Sequence, residues 1–253
     1  MNGVEGLHAL VTGGGKGIGA AAAAALKAGG ARVSIIGRDG VALQARTESG
    51  FADGFTVADV TDRSQFASAI AQITQSQGPI DILVNNAGGA ASGPFLKQDD
   101  EVFQRMLDIN LLAAVTGARL VLSGMIERRF GRIVNIASTA SLKGYSYVSA
   151  YVAAKHAVLG FTRALALETA RRGVTVNAIC PGFTDTDLVA GSVETIVRQS
   201  GRSTEDARAE LARINPQARL IQPEEIGEAV AFVARRESGS ITGTAISVAG
   251  GEI

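Results

Sequence analysis

The chain has 253 residues, 46% of them apolar, and no Pro- or Ser-rich linker or shift in composition along its length. It is long and apolar enough to bury a large core as one α/β domain spanning 1–253, and disorder is excluded. Its 24 basic and 24 acidic side chains cancel and are interspersed, which leaves no basic field for nucleic acid or anionic membrane and makes a small molecule or another protein the expected partner.

Short runs of Val, Ile and Leu alternate with helix-like stretches, the pattern of parallel strands joined by crossover helices. The first strand, Leu7–Thr12, runs into LVTGGGKGIGA, in which Thr12, Gly13, Gly17 and Gly19 give the spacing TGxxxGxG between a strand and a helix. Glycines there let backbone approach a pyrophosphate, and the free N–H groups and positive dipole end of the helix hold its charge. Gly15, Lys16 and Ile18 complete the loop, and Ala20–Ala25 reads as alanine-rich helix.

The second strand, Arg32–Gly37, ends without the carboxylate that NAD-binding folds use to hold the adenosine ribose hydroxyls. Arg38 follows instead, able to pair with a ribose 2′-phosphate, and Lys16 in the facing loop offers that phosphate a second positive charge. NADP(H) is therefore favoured over NAD(H), while Asp39, one residue late, keeps a carboxylate–ribose contact open.

The third strand, Gly54–Val60, leads through Asp59 in ADVTD to a helix at Ser64–Ser76, which Asp59 could alternatively cap. The fourth strand, Ile80–Asn85, precedes a helix over Asp99–Arg128, and the fifth, Gly131–Ala137, ends at Ser138. A helix over Ala150–Arg172 carries Tyr151 and Lys155 four apart on one face, where they can act on one ligand. A phenol of pKa about 10 is a poor acid or base at neutral pH, and a nearby ammonium lowers it.

The sixth strand, Thr175–Cys180, is followed by a polar stretch without a strand, Phe183–Gln222, with helical pieces at Ser192–Gln199 and Thr204–Ile214. It follows a carboxyl strand end, where open α/β sheets bind ligands, and reads as a mobile substrate lid at about 183–222. A helix at Pro223–Arg235 and a strand at Ala245–Val248 complete a doubly wound Rossmann sheet of seven parallel strands, order 3-2-1-4-5-6-7, with helices on both faces.

His8 and His156 stand alone, without the spacing of metal ligands, so no metal site is expected. The single cysteine, Cys180, fits a reducing compartment, and it reads as a small buried hydrophobe. MNGVEGLHAL has no basic start or long apolar run, and nowhere do 18 uninterrupted apolar residues occur, so the expectation is a cytoplasmic protein with no membrane partner.

Tyr151-x-x-x-Lys155 with Ser138 upstream, the TGxxxGxG loop, NNAG at Asn85–Gly88 and PG at Pro181–Gly182 together resemble the short-chain dehydrogenase/reductase family, in its compact single-domain branch, over essentially the whole chain. The resemblance implies hydride transfer between a nicotinamide cofactor and a ketone or secondary alcohol. Tyr151 would be the general acid or base and Ser138 would hold the carbonyl oxygen. Lys155 would bind the nicotinamide ribose and depress the tyrosine pKa, and Asn110 would hold a water linking Lys155 to solvent.

Asp59 would contact adenine beside Val60, Asn86, Ala87 and Gly88 would line the cofactor floor, and Pro181, Gly182, Thr184 and Thr186 would hold the carboxamide end. A homotetramer is also implied, built on the Asp99–Arg128 and Ala150–Arg172 helices and on the strand in ISVAGGEI.

Within the family the chain looks most like 3-oxoacyl thioester reductases acting on acyl carrier protein or coenzyme A, and Arg129 and Arg172 match that subgroup's carrier-docking arginines. The 183–222 segment looks longer than their lid and nearer that of 3-hydroxybutyrate dehydrogenases, whose carboxylate-binding histidine is here Ala140. Leu142, Tyr145, Tyr147 and Val148 suit an acyl chain or ring, and Lys143 and Lys97 are read either as coenzyme A phosphate contacts or as solvated lysines. The alternatives are a dehydrogenase of another hydrophobic secondary alcohol or 3-hydroxyacyl-CoA, and a nucleotide-binding regulatory protein without turnover.

Overall fold

In the computed structural model, which describes residues 3–253, seven strands form one parallel sheet: β1 His8–Thr12, β2 Arg32–Gly37, β3 Gly54–Val57, β4 Ile82–Asn85, β5 Gly131–Ile136, β6 Val174–Pro181 and β7 Ala245–Val248. Their order, β3-β2-β1-β4-β5-β6-β7, is the expected one. Met1 and Asn2 of the expected 1–253 unit lie outside the described residues. Strand direction of travel reverses between β1 and β4, which pair through Ala9↔Ile82 and Val11↔Val84, and the crevice at their carboxyl ends is where such sheets take ligands.

Nine helices cover the sheet among the described residues: α1 Gly17–Ala28, α2 Gly40–Glu48, α3 Arg63–Gln77, α4 Asp100–Leu107, α5 Ala113–Glu127, α6 Ser149–Thr169, α7 Asp187–Ser200, α8 Thr204–Ala212 and α9 Pro223–Ala234. Side chains alternate across each strand. In β1, Ala9 and Val11 pack with α1 and α9, while Leu10 packs with α3, α5 and α6. Both faces are buried, which is why the central strands read as unbroken apolar runs. The alanine run of α1 has a packing reason: a Cβ on Gly227 of α9 would come within 2.7 Å of Ala21 O, so only small residues allow this approach.

Several expected boundaries shift. β3 stops at Val57, and Val60 sits in the following turn, buried in the core. The α2 helix was not foreseen; its N-cap is Asp39, which accepts from Ala42 N at 3.1 Å. The helix expected over Asp99–Arg128 is interrupted by a π turn, Asp108–Leu112, joining α4 to α5. The run Asp100–Glu127 is apolar enough in length and composition to cross a membrane, with mean hydropathy 1.6, but α5 lies on β4, β5 and α3.

The polar reading of Phe183–Gln222 is corrected. α7 begins at Asp187 rather than Ser192, and Val189, Val193, Ala207, Leu211 and Leu220 bury a hydrophobic cluster of their own between α7 and α8. The two ends of the segment meet in a parallel bridge, Thr184↔Ile221. It is a small helical pair packed on itself, its two ends brought together at that bridge.

Candidate active site

The glycine loop is held open by its neighbours. Gly13 and Gly17 have φ of 66° and 51°, a region that disfavours side chains, and a Cβ on Gly19 would lie 2.2 Å from Gly13 O and 2.4 Å from Asn86 Nδ2. Lys16 is the N-cap of α1 yet offers no side-chain cap, so the first-turn N–H groups stay available to an anion. This tight backbone turn, where a Cβ on Gly13, Gly14 or Gly19 would clash with its surroundings, fits a dinucleotide pyrophosphate.

Thr12 plays a different part from the one expected. It is buried, and its hydroxyl accepts from Asn86 N (3.0 Å) and Ala87 N (3.1 Å), while Asn86 Nδ2 donates to Thr12 O (2.9 Å) and Gly13 O (3.2 Å). Thr12 therefore stitches the NNAG turn to the glycine loop and presents no side chain to a ligand. Across the groove, a Cβ on Gly17 would meet Thr186 Cγ2 at 3.0 Å, so the loop after β6 faces the glycine loop directly. That loop is braced by Gly182 N donating to Val248 O (3.0 Å), Thr184 Oγ1 to Gly182 O (3.0 Å) and Thr186 Oγ1 to Thr184 O (3.3 Å).

At the adenosine end both expected cations are present and exposed, but each has an acid beside it. Lys16 Nζ lies 2.9 Å from Asp39 Oδ2, and Arg38 Nη1 lies 3.9 Å from Asp59 Oδ2. Asp39 is thus spent on Lys16 and on capping α2. Asp59 does not cap α3, a task Asp62 performs through Ser64 N and Gln65 N; it accepts instead from Thr61 N (2.9 Å) and Thr61 Oγ1 (2.7 Å), and these bonds hold its carboxyl below the usual range.

Ser138 follows β5, and α6 lays Tyr151 and Lys155 against it. A buried chain fixes this arrangement: Asn85 Nδ2 donates to Asn135 Oδ1 (2.9 Å), Asn135 Nδ2 to Thr162 Oγ1 (2.8 Å), and Thr162 Oγ1 to Val158 O (2.8 Å), tying β4 to β5 to α6. Ser138 Oγ accepts from Ala140 N at 3.1 Å. Lys155 is buried; its Nζ donates to Ile136 O (2.8 Å) and lies 5.7 Å from the Tyr151 ring centroid.

Burial pushes the Lys155 ammonium down to about 8. Burial also holds the Tyr151 phenol above its ordinary value, with a hydrogen bond to Ser138 pulling the other way. Burial, the largest influence on the Tyr151 phenol, thus acts against the fall expected from the neighbouring ammonium.

Asn110, in the π turn, is buried and exchanges hydrogen bonds with Gly89, accepting from its N–H (3.3 Å) and donating to its carbonyl (2.9 Å), besides donating to Met106 O (3.0 Å). A Cβ on Gly88 would lie 2.8 Å from Asn110 Oδ1 and 3.7 Å from Lys155 Nζ, so the floor of the groove, Asn110 and Lys155 are brought together as expected.

On the substrate side the expected apolar lining is partly polar. Tyr145 bonds to Thr139 Oγ1 (2.6 Å) and to Glu252, and Lys143 Nζ pairs with Glu252 Oε1 at 2.9 Å instead of standing free for a phosphate. Glu252 was missed from sequence; its only signal is a lone acid in the apolar and glycine-rich ISVAGGEI. Tyr147 is exposed with φ of 67°, its carbonyl accepting from Gly93 N at 2.7 Å. Lys97 is exposed in a short turn, Phe95–Lys97.

Arg129 and Arg172 are not brought to the site. Arg129 precedes β5 and Arg172 precedes β6, at the amino edge, about 20 Å of strand away from Ser138. The neighbouring Arg132 is buried and caps the end of α9 through Arg235 O (3.1 Å) and Arg236 O (3.2 Å). Cys180 is buried, as expected, and burial pushes its thiol up to about 11. No cluster of metal-ligating side chains occurs among the described residues.

Residues 7–196 match the family model for short chain dehydrogenase. The chain is 41% identical over 249 residues to an acetoacetyl-CoA reductase of Shinella zoogloeoides, covering 96% of this chain and 97% of the relative. It is 36% identical to a 3-oxoacyl-[acyl-carrier-protein] reductase of Vibrio cholerae, covering 98% of each. Among solved structures, a variant of the actinorhodin polyketide ketoreductase with NADPH superposes with a TM-score of 0.94 at 35% identity, covering 100% of this chain and 99% of that one.

The buried ammonium gives a pH signature. Unfolded, Lys155 holds its proton to about the ordinary 10.5; folded, it releases it near 8. Between pH 8 and 10 the unfolded chain binds more protons, so the folded state gains stability as pH rises. Measured by urea unfolding, wild type should gain about 2 kcal/mol relative to Lys155→Met over this window; a constant difference would show that the ammonium is not buried.

Proposed function

The chain belongs to the short-chain dehydrogenase family, and on that premise we propose that it reduces 3-oxoacyl thioesters to 3-hydroxyacyl thioesters with NADPH. The observation that carries this reading is the placement of Ser138, Tyr151 and Lys155 at the carboxyl ends of β5 and β6, beside a backbone cradle that fits a pyrophosphate. Relatives named for acetoacetyl-CoA and 3-oxoacyl carrier substrates, aligned over nearly the full chain, favour the thioester class. The substrate carrier is coenzyme A or acyl carrier protein; Arg129 and Arg172 support the latter only as a surface remote from this chain's own Ser138.

When bound, the cofactor supplies a hydride to the carbonyl carbon. The glycine loop and the α1 N-terminus hold its pyrophosphate, Asn86 to Gly88 and the Pro181–Thr186 turn flank its nicotinamide end, and Lys155 holds the ribose. Ser138 Oγ donates a hydrogen bond to the substrate carbonyl oxygen and the Tyr151 hydroxyl gives that oxygen its proton. A phenol of ordinary pKa about 10 is protonated at neutral pH, the form required of an acid in the reductive direction, and burial pushes it further the same way. Lys155 is the cation nearest the ring, placed to stabilise the phenolate left behind. The presence of all three residues in register disfavours a regulatory protein without turnover.

Arg38 and Lys16 flank the adenosine end and favour NADPH over NADH. We assign the 183–222 pair of helices the role of lid, and the buried free Cys180 suits the cytoplasm. Leu120 on α5 and Leu167 on α6 are exposed apolar residues on the faces a homotetramer would cover.

Acetoacetyl-CoA reduction should proceed with NADPH and fall at least about a hundredfold in Tyr151→Phe, the loss of a general acid; near-normal turnover in that variant would refute the assignment. Arg38→Ala should raise KM for NADPH about tenfold and leave that for NADH nearly unchanged, the signature of a lost phosphate contact worth roughly 1.4 kcal/mol; faster wild-type turnover with NADH would overturn the cofactor preference. Light scattering at micromolar concentration should give four times the chain mass, and a monomer would contradict the assembly.

A further inference from the structure

The segment after β7 brings a buried acid to the wall of the substrate site. The Glu252 side chain is only 2% exposed although no strand or helix follows it in the described chain. Its Oε1 accepts from the Tyr145 hydroxyl and from Lys143 Nζ, and the Tyr145 hydroxyl shares a further hydrogen bond with Thr139, the residue after Ser138. Its Oε2 has no hydrogen-bond partner and lies against Gly182, where an added Cβ would come within 3.1 Å of it. The Tyr145 ring meets Phe183 edge-on, centroids 6.1 Å apart.

One side chain thus joins the loop after β5, the loop after β6 and the final segment. The first of these pieces begins at Ser138, and the second faces the glycine loop through Thr186. A carboxylate this deeply buried is costly to leave unpaired, so Lys143 and Tyr145 are held to it firmly, unlike the partners of an exposed ion pair.

We infer that Glu252 is a latch that fixes the Tyr145–Phe183 wall and so sets the size of acyl group the site accepts. It is a positioning and specificity-determining residue and touches no reacting atom. The acyl part of this inference rests on the thioester reading above; the latch does not. With the latch closed, the wall stands close to Ser138 and favours a short 3-oxoacyl group. Released, the wall gives way, a short group loses its lateral support and a longer one gains room.

The test uses the full chain saturated with NADPH, as wild type, Glu252→Ala and Glu252→Gln, whose amide oxygen keeps an acceptor for Tyr145. Amide hydrogen exchange should rise in residues 139–148 of Glu252→Ala and stay close to wild type in Glu252→Gln. The ratio of kcat/KM for acetoacetyl-CoA to that for 3-oxooctanoyl-CoA should fall about tenfold in Glu252→Ala, mainly through KM, and by less than about threefold in Glu252→Gln.

Unchanged exchange in 139–148 overturns the latch, and an equal loss on both thioesters overturns its role in specificity. If wild type reduces other ketones but neither thioester, the thioester reading fails while the exchange comparison still decides the latch. Should Glu252→Ala fail to fold, Tyr145→Phe removes only the hydroxyl and should give the same changes.

Discussion

Two backbone N–H groups, those of Asn86 and Ala87, donate to one buried hydroxyl, that of Thr12, and the Asn86 amide bonds back to the carbonyls of Thr12 and Gly13. This is the junction at which the sheet reverses its order of travel, where two neighbouring strands leave in opposite lateral directions and no crossover connects them. Parallel strands need only pair along their length; nothing in the ladder fixes the turns beyond their ends. The Thr12–Asn86 stitch does so, and the groove floor, the glycine loop and the opening between them keep their shape because of it.

The same logic repeats one layer further in. Asn85, Asn135 and Thr162 pass hydrogen bonds from strand to strand to helix in a region otherwise apolar, where each unpaired group would cost about 1–3 kcal/mol. A fully paired chain of this kind specifies one rotation of α6 about its axis. That rotation points Tyr151 and Lys155 toward the end of β5. Burial then acts on the two side chains in opposite directions, raising the phenol and lowering the ammonium, so their proton affinities are pushed apart.

Most of the framework was legible in the sequence for a simple reason: strands buried on both faces cannot hide, and TGxxxGxG or Tyr-x-x-x-Lys carries its geometry in its spacing. What was not legible depended on depth and on distant partners. The π turn at Asp108–Leu112 lies in an apolar run whose pattern does not distinguish it from α-helix, though it is what turns Asn110 to Gly89. α2 buries only Leu43, too little to leave a periodic signal. The inward turn of Thr12, the raised Tyr151 and the pairing of Lys143 with Glu252 each follow from burial or from contacts across the whole chain, which no local window contains. The two helices of 183–222 were legible, but their polar surface concealed the apolar faces they share with each other.

The burial of Glu252 also bears on how the protein is handled. Whatever is appended after Ile253, whether an affinity tag, a reporter or a fusion partner, is joined one residue from a side chain packed against Gly182, and its bulk and charge would act on a wall of the substrate site. Residues before β1 lead instead into the amino edge of the sheet, where Gly3 N donates to Glu237, with the length of β1 between them and the groove. The two ends of this chain are therefore not equivalent places to attach anything.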